Sequence, residues 1–261
     1  MTTKRVWTKE LMDDPAIDRE QLDRALSYIR AVNRRLGGVS ALLRHLRLWS
    51  IRWPRDRRIT MLDLGTGSAD LPVAARKWAL ANGYDLWITG VDNHPATLDA
   101  ARKHAKDTDG VDLLEADALT IGDRFEAGSF DYVHAGLFLH HMPNDDEVVA
   151  VLSMMNRIAR AGVVWNDLVR TRLGMVAINV MTVGQPEIIR HDARVSVRAG
   201  FSRREARMLA AQAGIDYASY RWRVFTHRFT MAGEKQDAWK GAPPADQGDT
   251  GDVGDSAEAG A

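Results

Sequence analysis

The 261-residue chain is 45% hydrophobic and 27% charged, with 35 Lys+Arg against 35 Asp+Glu. That composition excludes disordered, collagenous and fibrous classes, and the absence of cysteine excludes a disulfide framework, Cys-type zinc sites, iron–sulfur clusters and thiol catalysis. No apolar run approaches the roughly 18 residues of a membrane span, and the opening through Arg5 and Glu10 lacks the apolar core of a signal peptide, so a cytoplasmic protein is expected.

The neutral total conceals an uneven distribution. Arg19 to Arg58 holds eleven arginines against three acids. Leu22, Leu26, Ile29, Val32 and Leu36 recur at helical spacing, and Gly37-Gly38 ends that helix. Val39, Leu42, Leu43, Leu46, Trp49 and Trp53 then share one side of a second helix, with Arg44, Arg47 and Arg52 between them. Such a helix either packs its apolar face on its own domain or lies on an anionic membrane, and self-packing is the commoner outcome. Residues 1–57 are read as an N-terminal helical lid.

From Ile59 strands alternate with helices. Ile59–Leu64, Leu86–Val91, Val111–Leu114, Phe130–Ala135 and Gly162–Asn166 read as strands, and Asp70–Ala81 and Pro95–Lys106 as helices. Pro95 suits a first helical turn, Asn144 a cap with Asp145, Asp146 and Glu147 behind it, and Ser202-x-x-Glu205 a capping box. Residues 170–200 fall outside the alternation as a helical insertion after the fifth strand. Tyr217–Met231 supplies two closing strands. The prediction is an α/β, Rossmann-like, doubly wound and mainly parallel seven-stranded sheet over residues 58–232. Residues 233–261, whose last 21 positions carry five acids and no base, are expected to form a disordered acidic tail.

The turn Asp63-Leu-Gly65-Thr66-Gly67-Ser-Ala69-Asp70 leaves a strand and opens a helix, the setting in which a glycine-rich motif carries meaning. A dinucleotide site would place glycine where Asp70 stands. A carboxylate there disfavours a pyrophosphate and favours a cationic ligand.

This motif resembles motif I of the class I S-adenosylmethionine-dependent methyltransferases. The resemblance continues through Gly90-Val-Asp92, Glu115-Ala-Asp117, and Ser129-Phe-Asp-Tyr-Val133 followed by Leu139-His-His141. It covers about Arg58 to Ala232 and is closest to the quinone-biosynthesis-like small-molecule branch. The resemblance implies S-adenosyl-L-methionine as cofactor. Gly65, Thr66 and Gly67 would back its methionine and ribose, with Asp63 or Asp70 near the ammonium. Asp92 would hold both ribose hydroxyls, Asn93 would flank the adenine, and Asp117 and Ala118 would meet its amino edge. Ala135 and Gly136 would line the cavity under the sulfonium. Ala69 replaces the third glycine usual in the family.

In-line methyl transfer draws most of its acceleration from alignment, and an acidic acceptor additionally needs proton removal. His140 and His141 are the candidate catalytic residues, competing with a purely structural reading in which either packs and bonds backbone. Further candidates are His191, Asp192, Asn166 and Asp167, whereas His134, inside a strand, reads as structural. No ligand-type spacing suggests a metal. The expected function is methylation, at oxygen or carbon, of a small and largely apolar aromatic or polyketide-like acceptor. The alternatives are a nucleic-acid methyltransferase, which no stacking platform or target-base motif supports, and a non-catalytic S-adenosylmethionine-binding subunit. Peripheral membrane contact and oligomeric state stay open.

Overall fold

The computed structural model describes residues 4–236, 238 and 239. Helix α1 (Arg19–Arg35) is capped by the Asp18 side chain, which accepts from the Gln21 amide, and Gly37 in the left-handed region turns the chain into α2 (Gly38–Trp49). The apolar stripe of α2 is consumed inside the domain. Leu42, Leu46 and Trp49 are buried, Trp49 stacks on Tyr132 at 5.0 Å, and Arg44 and Arg47 remain in solvent. This is the self-packing outcome.

Seven strands form one sheet in the order β3-β2-β1-β4-β5-β7-β6. The first five, β1 (Ile59–Leu64), β2 (Leu86–Asp92), β3 (Val111–Glu115), β4 (Phe130–Gly136) and β5 (Ala159–Leu168), run parallel. Strand β7 (Arg228–Glu234) pairs antiparallel with β5 and with β6 (Ser219–Arg223). Helices α3 (Asp70–Ala81) and α4 (Pro95–Ala105) connect the first strands, and α5 (Asp145–Ile158) and α8 (Arg203–Gln212) join the later ones.

Alternation along the strands assigns the two faces. Leu62, Leu64, Val133 and Ala135 pack with α5 and α8, while Ile59, Met61, Leu86 and Tyr132 pack with α2 and α3. A register shift between Phe130 and Tyr132 breaks the alternation in β4. Asp131 lies at that break, buried, accepting from the Thr60 amide at 3.0 Å and from the Arg57 guanidinium at 2.8 Å.

The insertion consists of α6 (Arg172–Met181) and α7 (Glu187–Ala199), which pack on each other, with α7 also against α1. Two strand boundaries differ from expectation by three residues. Strand β5 starts at Ala159 rather than Gly162, because Ala159 already pairs with Phe130. Strand β7 takes in Gly233 and Glu234, opposite Val163 and Gly162, so these two residues belong to the sheet and not to the tail. Residues 240–261 of the expected tail lie outside the described residues.

Candidate functional site: a cofactor cleft joined to an apolar cavity

Strand order reverses between β1 and β4, and in such sheets ligands sit beyond the carboxyl ends of the strands at that point. A cleft of about 540 Å³ lies there, within the range of small-molecule sites. The motif I turn forms one wall. Gly65 and Gly67 adopt φ of 62° and 55°, values natural to glycine. Ala69 also lies in the left-handed region, at φ 57°, a conformation that costs an alanine about 1 kcal/mol and explains why glycine is usual there. A Cβ on Gly65 would fall 2.2 Å from Phe138 Cδ2. Gly65→Ala should therefore destabilise the fold by about 1–2 kcal/mol through positive φ and the displaced ring, measured as a lowered melting temperature.

Asp92 ends β2. Its Oδ2 accepts from the Gly67 amide and its Oδ1 from the His94 amide, both at 3.0 Å. A carboxylate has about four lone-pair sites, so both oxygens retain capacity for a pair of ligand hydroxyls. Burial raises the Asp92 pKa above the usual carboxylate range, against the lowering effect of the two amides. Asp63 is committed within the protein: it accepts from the Thr66 hydroxyl at 2.8 Å and pairs with His134 Nδ1 at 2.5 Å. Asp70 accepts from Asn33 of α1 at 3.1 Å.

The expected cofactor residues Asp63, Gly65, Thr66, Gly67, Asp70, Asp92, Asn93, Asp117, Ala118 and Gly136 all line this cleft. Ala135 does not; it is fully buried among Leu64, Val133 and Leu139, one residue short of the opening. Seven carboxylates and one lysine line the cleft. That donor set repels phosphate and fits a ligand bearing an ammonium and a sulfonium, so S-adenosylmethionine suits the residues present.

Residues 5–13 cross the mouth as a strap, which the sequence did not reveal. The Arg5 guanidinium donates to the Met142 carbonyl at 2.9 Å, and the Trp7 indole donates to the His141 carbonyl at 2.7 Å. The Leu11 and Met12 amides donate to the two Asp192 oxygens at 2.8 and 3.0 Å. At the centre lie the two candidate histidines. His140 Nδ1 meets Asp167 Oδ1 at 2.7 Å and its Nε2 faces Glu10 Oε1 at 3.5 Å. His141 Nδ1 meets Asp13 Oδ2 at 2.9 Å, with Nε2 4.0 Å from Glu10. Burial disfavours their charged forms, but the carboxylates win: Asp167 leads in raising His140, and Glu10 with Asp13 pushes His141 up to about 10. Glu10 and Asp167 are buried too, yet the imidazoles hold both below the usual carboxylate range.

A second, apolar cavity of about 130 Å³ opens beside the cleft between α1, α6 and α7, and Glu10, Met12, Ile29, Leu137, Leu168 and Ser196 line both spaces. The Tyr28 hydroxyl, on the cavity wall, is buried without a hydrogen-bond partner among the described residues. Arg228 closes the far side, fully enclosed and donating to Asn33 Oδ1 at 2.9 Å and Asn166 Oδ1 at 3.3 Å. Burial lowers its pKa to about 10, with Asp167 and Asp70 opposing.

Residues 61–162 match the methyltransferase domain family. A demethylmenaquinone methyltransferase of Staphylococcus aureus (strain JH9) is 30% identical over 155 residues, 58% of this chain and 61% of the relative. The chain thus spans about three-fifths of the length of the curated relatives it matches. A SAM-dependent methyltransferase from Aquifex aeolicus superposes with a TM-score of 0.55 at 14% identity, covering 84% of this chain and 98% of that one. Magnesium protoporphyrin IX methyltransferase from Synechocystis PCC 6803 with bound SAH gives 0.51 at 15% identity, covering 85% and 90%. The stretch that matches the methyltransferase domain family, residues 61–162, thus carries the motif I turn, Asp92, Asp117 and the two histidines at the strand ends of this sheet.

Proposed function

We propose that the chain methylates a small, largely apolar aromatic acceptor of the quinone-related kind, bound in the cavity under α1, α6 and α7, which act as its lid. The observation that carries this reading is the junction: an apolar cavity with few polar groups meets the cofactor cleft at Glu10, Leu137 and Leu168. The demethylmenaquinone methyltransferase relatives point the same way.

Bound in the cleft, S-adenosylmethionine supplies an electrophilic methyl group for in-line displacement. The remaining work falls to the chain. Asp92 would hold the ribose hydroxyls, Asn93, Asp117 and Ala118 the adenine, and Asp63 or Asp70 would face the ammonium. Leu137 and Leu168 exclude water from the line of attack, which strengthens the electrostatics inside. His140 and His141, whose carboxylate partners favour their charged forms, stabilise the oxyanion left when Glu10 takes the proton of an acceptor hydroxyl or enol. Tyr28 donates to a second acceptor oxygen. On its outer side α6 leaves Leu173, Val176 and Val180 exposed, a rim suited to taking an acceptor from an apolar phase. Co-sedimentation with liposomes tests that route.

Cofactor binding requires ionised Asp92. Because burial raises its pKa, affinity should begin to fall at a higher pH than for an exposed aspartate, weakening by about tenfold per unit once pH drops below that value. Calorimetric titration across pH 5 to 8 checks this. The reading itself is tested with methyl-labelled cofactor and a graded panel of phenols and hydroquinones. Label should enter apolar hydroquinones in preference to charged phenols, and Tyr28→Phe should lower kcat/KM for the best acceptor by about tenfold, the worth of one buried hydrogen bond. Binding of cofactor without labelling of any acceptor would favour a non-catalytic subunit.

A further inference from the structure

The cluster of Glu10, His140 and His141 is built as a metal site is built, although the sequence spacing gave no such hint. One carboxylate oxygen and one nitrogen of each imidazole lie within 4.8 Å of one another. Glu10 Oε1 stands 3.5 Å from His140 Nε2 and 4.0 Å from His141 Nε2. A tetrahedral cation with bonds near 2.0–2.1 Å would want these atoms about 3.3 Å apart, so Glu10 must approach His140 by about 0.2 Å and His141 by about 0.7 Å.

The second observation lies on the far side of each ring. Histidines that bind metals commonly donate their other ring N–H to a carboxylate, which fixes the tautomer and aims the free nitrogen. Both rings do so here, His140 Nδ1 with Asp167 at 2.7 Å and His141 Nδ1 with Asp13 at 2.9 Å. Both therefore present Nε2 toward the same carboxylate, and a cation there would displace the Nε2 proton that each ring carries when charged. Glu10 is itself oriented by the Ser196 hydroxyl, which donates to Oε1. His140 and Glu10 are buried, at 3% and 7% exposure, so the ligands are held in place before an ion arrives.

We propose that Glu10, His140 and His141 bind one divalent transition cation of the zinc, iron or manganese class, with an open position facing the junction of cleft and cavity. Two imidazoles and one carboxylate form the donor set that such ions favour over calcium or magnesium. The open position is filled by water or by an acceptor oxygen, so the ion would gather the strap, the lid and the acceptor at one point. The proposal shares the polar cluster of the reading above but depends on neither cofactor nor turnover.

The test is calorimetric titration of the chelator-stripped full chain with zinc chloride, without cofactor or acceptor, with cobalt(II) absorption as a second readout. The expected result is one equivalent bound at micromolar affinity or better, and a cobalt spectrum of tetrahedral or five-coordinate nitrogen–oxygen ligation. Glu10→Gln and His140→Ala should weaken binding by about 100-fold or more, and Asp167→Asn by about 10–100-fold, while His104→Ala, exposed on α4, leaves it unchanged. Absence of binding by the folded wild type overturns the proposal and leaves an ion-pair lock. So does binding that survives both Glu10→Gln and His140→Ala in folded protein. S-adenosylmethionine titration of the same samples keeps this outcome separate from failure of the cofactor site.

Discussion

Asp92→Ala is expected to weaken S-adenosylmethionine binding by about 100-fold or more while leaving the fold intact. The carboxylate would take both ribose hydroxyls, and hydrogen bonds to a charged group are worth about 1.5–3 kcal/mol each, so losing two costs at least two decades of affinity. The same carboxylate accepts from the Gly67 and His94 amides. The variant therefore also loosens the glycine turn, but both amides border a cleft that water enters. Calorimetry reads the affinity and circular dichroism the fold. A variant that binds as tightly as wild type would remove Asp92 from the site.

The largest expected loss of stability comes from Trp165→Ala. Trp165 is 1% exposed at the centre of β5 and packs edge-on against Phe201 and Phe229, with centroids 4.9 Å away in both cases. Emptying that volume should cost about 3–5 kcal/mol, which in a chain of this size lowers the melting temperature by about 10 °C. Its indole also donates to Asp167 Oδ2 at 3.3 Å, so Trp165→Phe, which keeps most of the volume, separates packing from the support given to Asp167 and His140. Thermal unfolding of the two variants distinguishes these contributions.

The sheet was legible because each strand announces itself locally. Short β-branched runs end in turn residues, and Asp70, Pro95 and Ser202 mark helix starts that the structure places at or beside the same positions. The wall of the cleft was legible for a related reason: Gly65, Gly67 and Asp92 lie at β–α junctions, where sequence order and spatial order coincide. Ala135 missed the cleft by one residue because sequence alone does not reveal where strand ends and opening begins. Glu10, Asp13, Tyr28 and Arg228 were invisible for a different reason. Each reaches the site from a distant segment: His141 Nδ1 contacts Asp13 across 128 residues and Arg228 contacts Asn33 across 195. Neither pairing leaves a periodic trace. His140 and His141 were singled out by their place after β4, but their carboxylate partners, and with them their charge, emerge only when strap and β5 converge.

A crystal structure of the chain with S-adenosylhomocysteine and an apolar hydroquinone is the most direct test of this account. It should show the ribose on Asp92, the adenine beside Asp117 and Ala118, and the sulfur facing the acceptor across the Leu137 junction near Glu10 and His140. A nucleoside bound away from Asp92, or a sulfur turned from the apolar cavity, would contradict it.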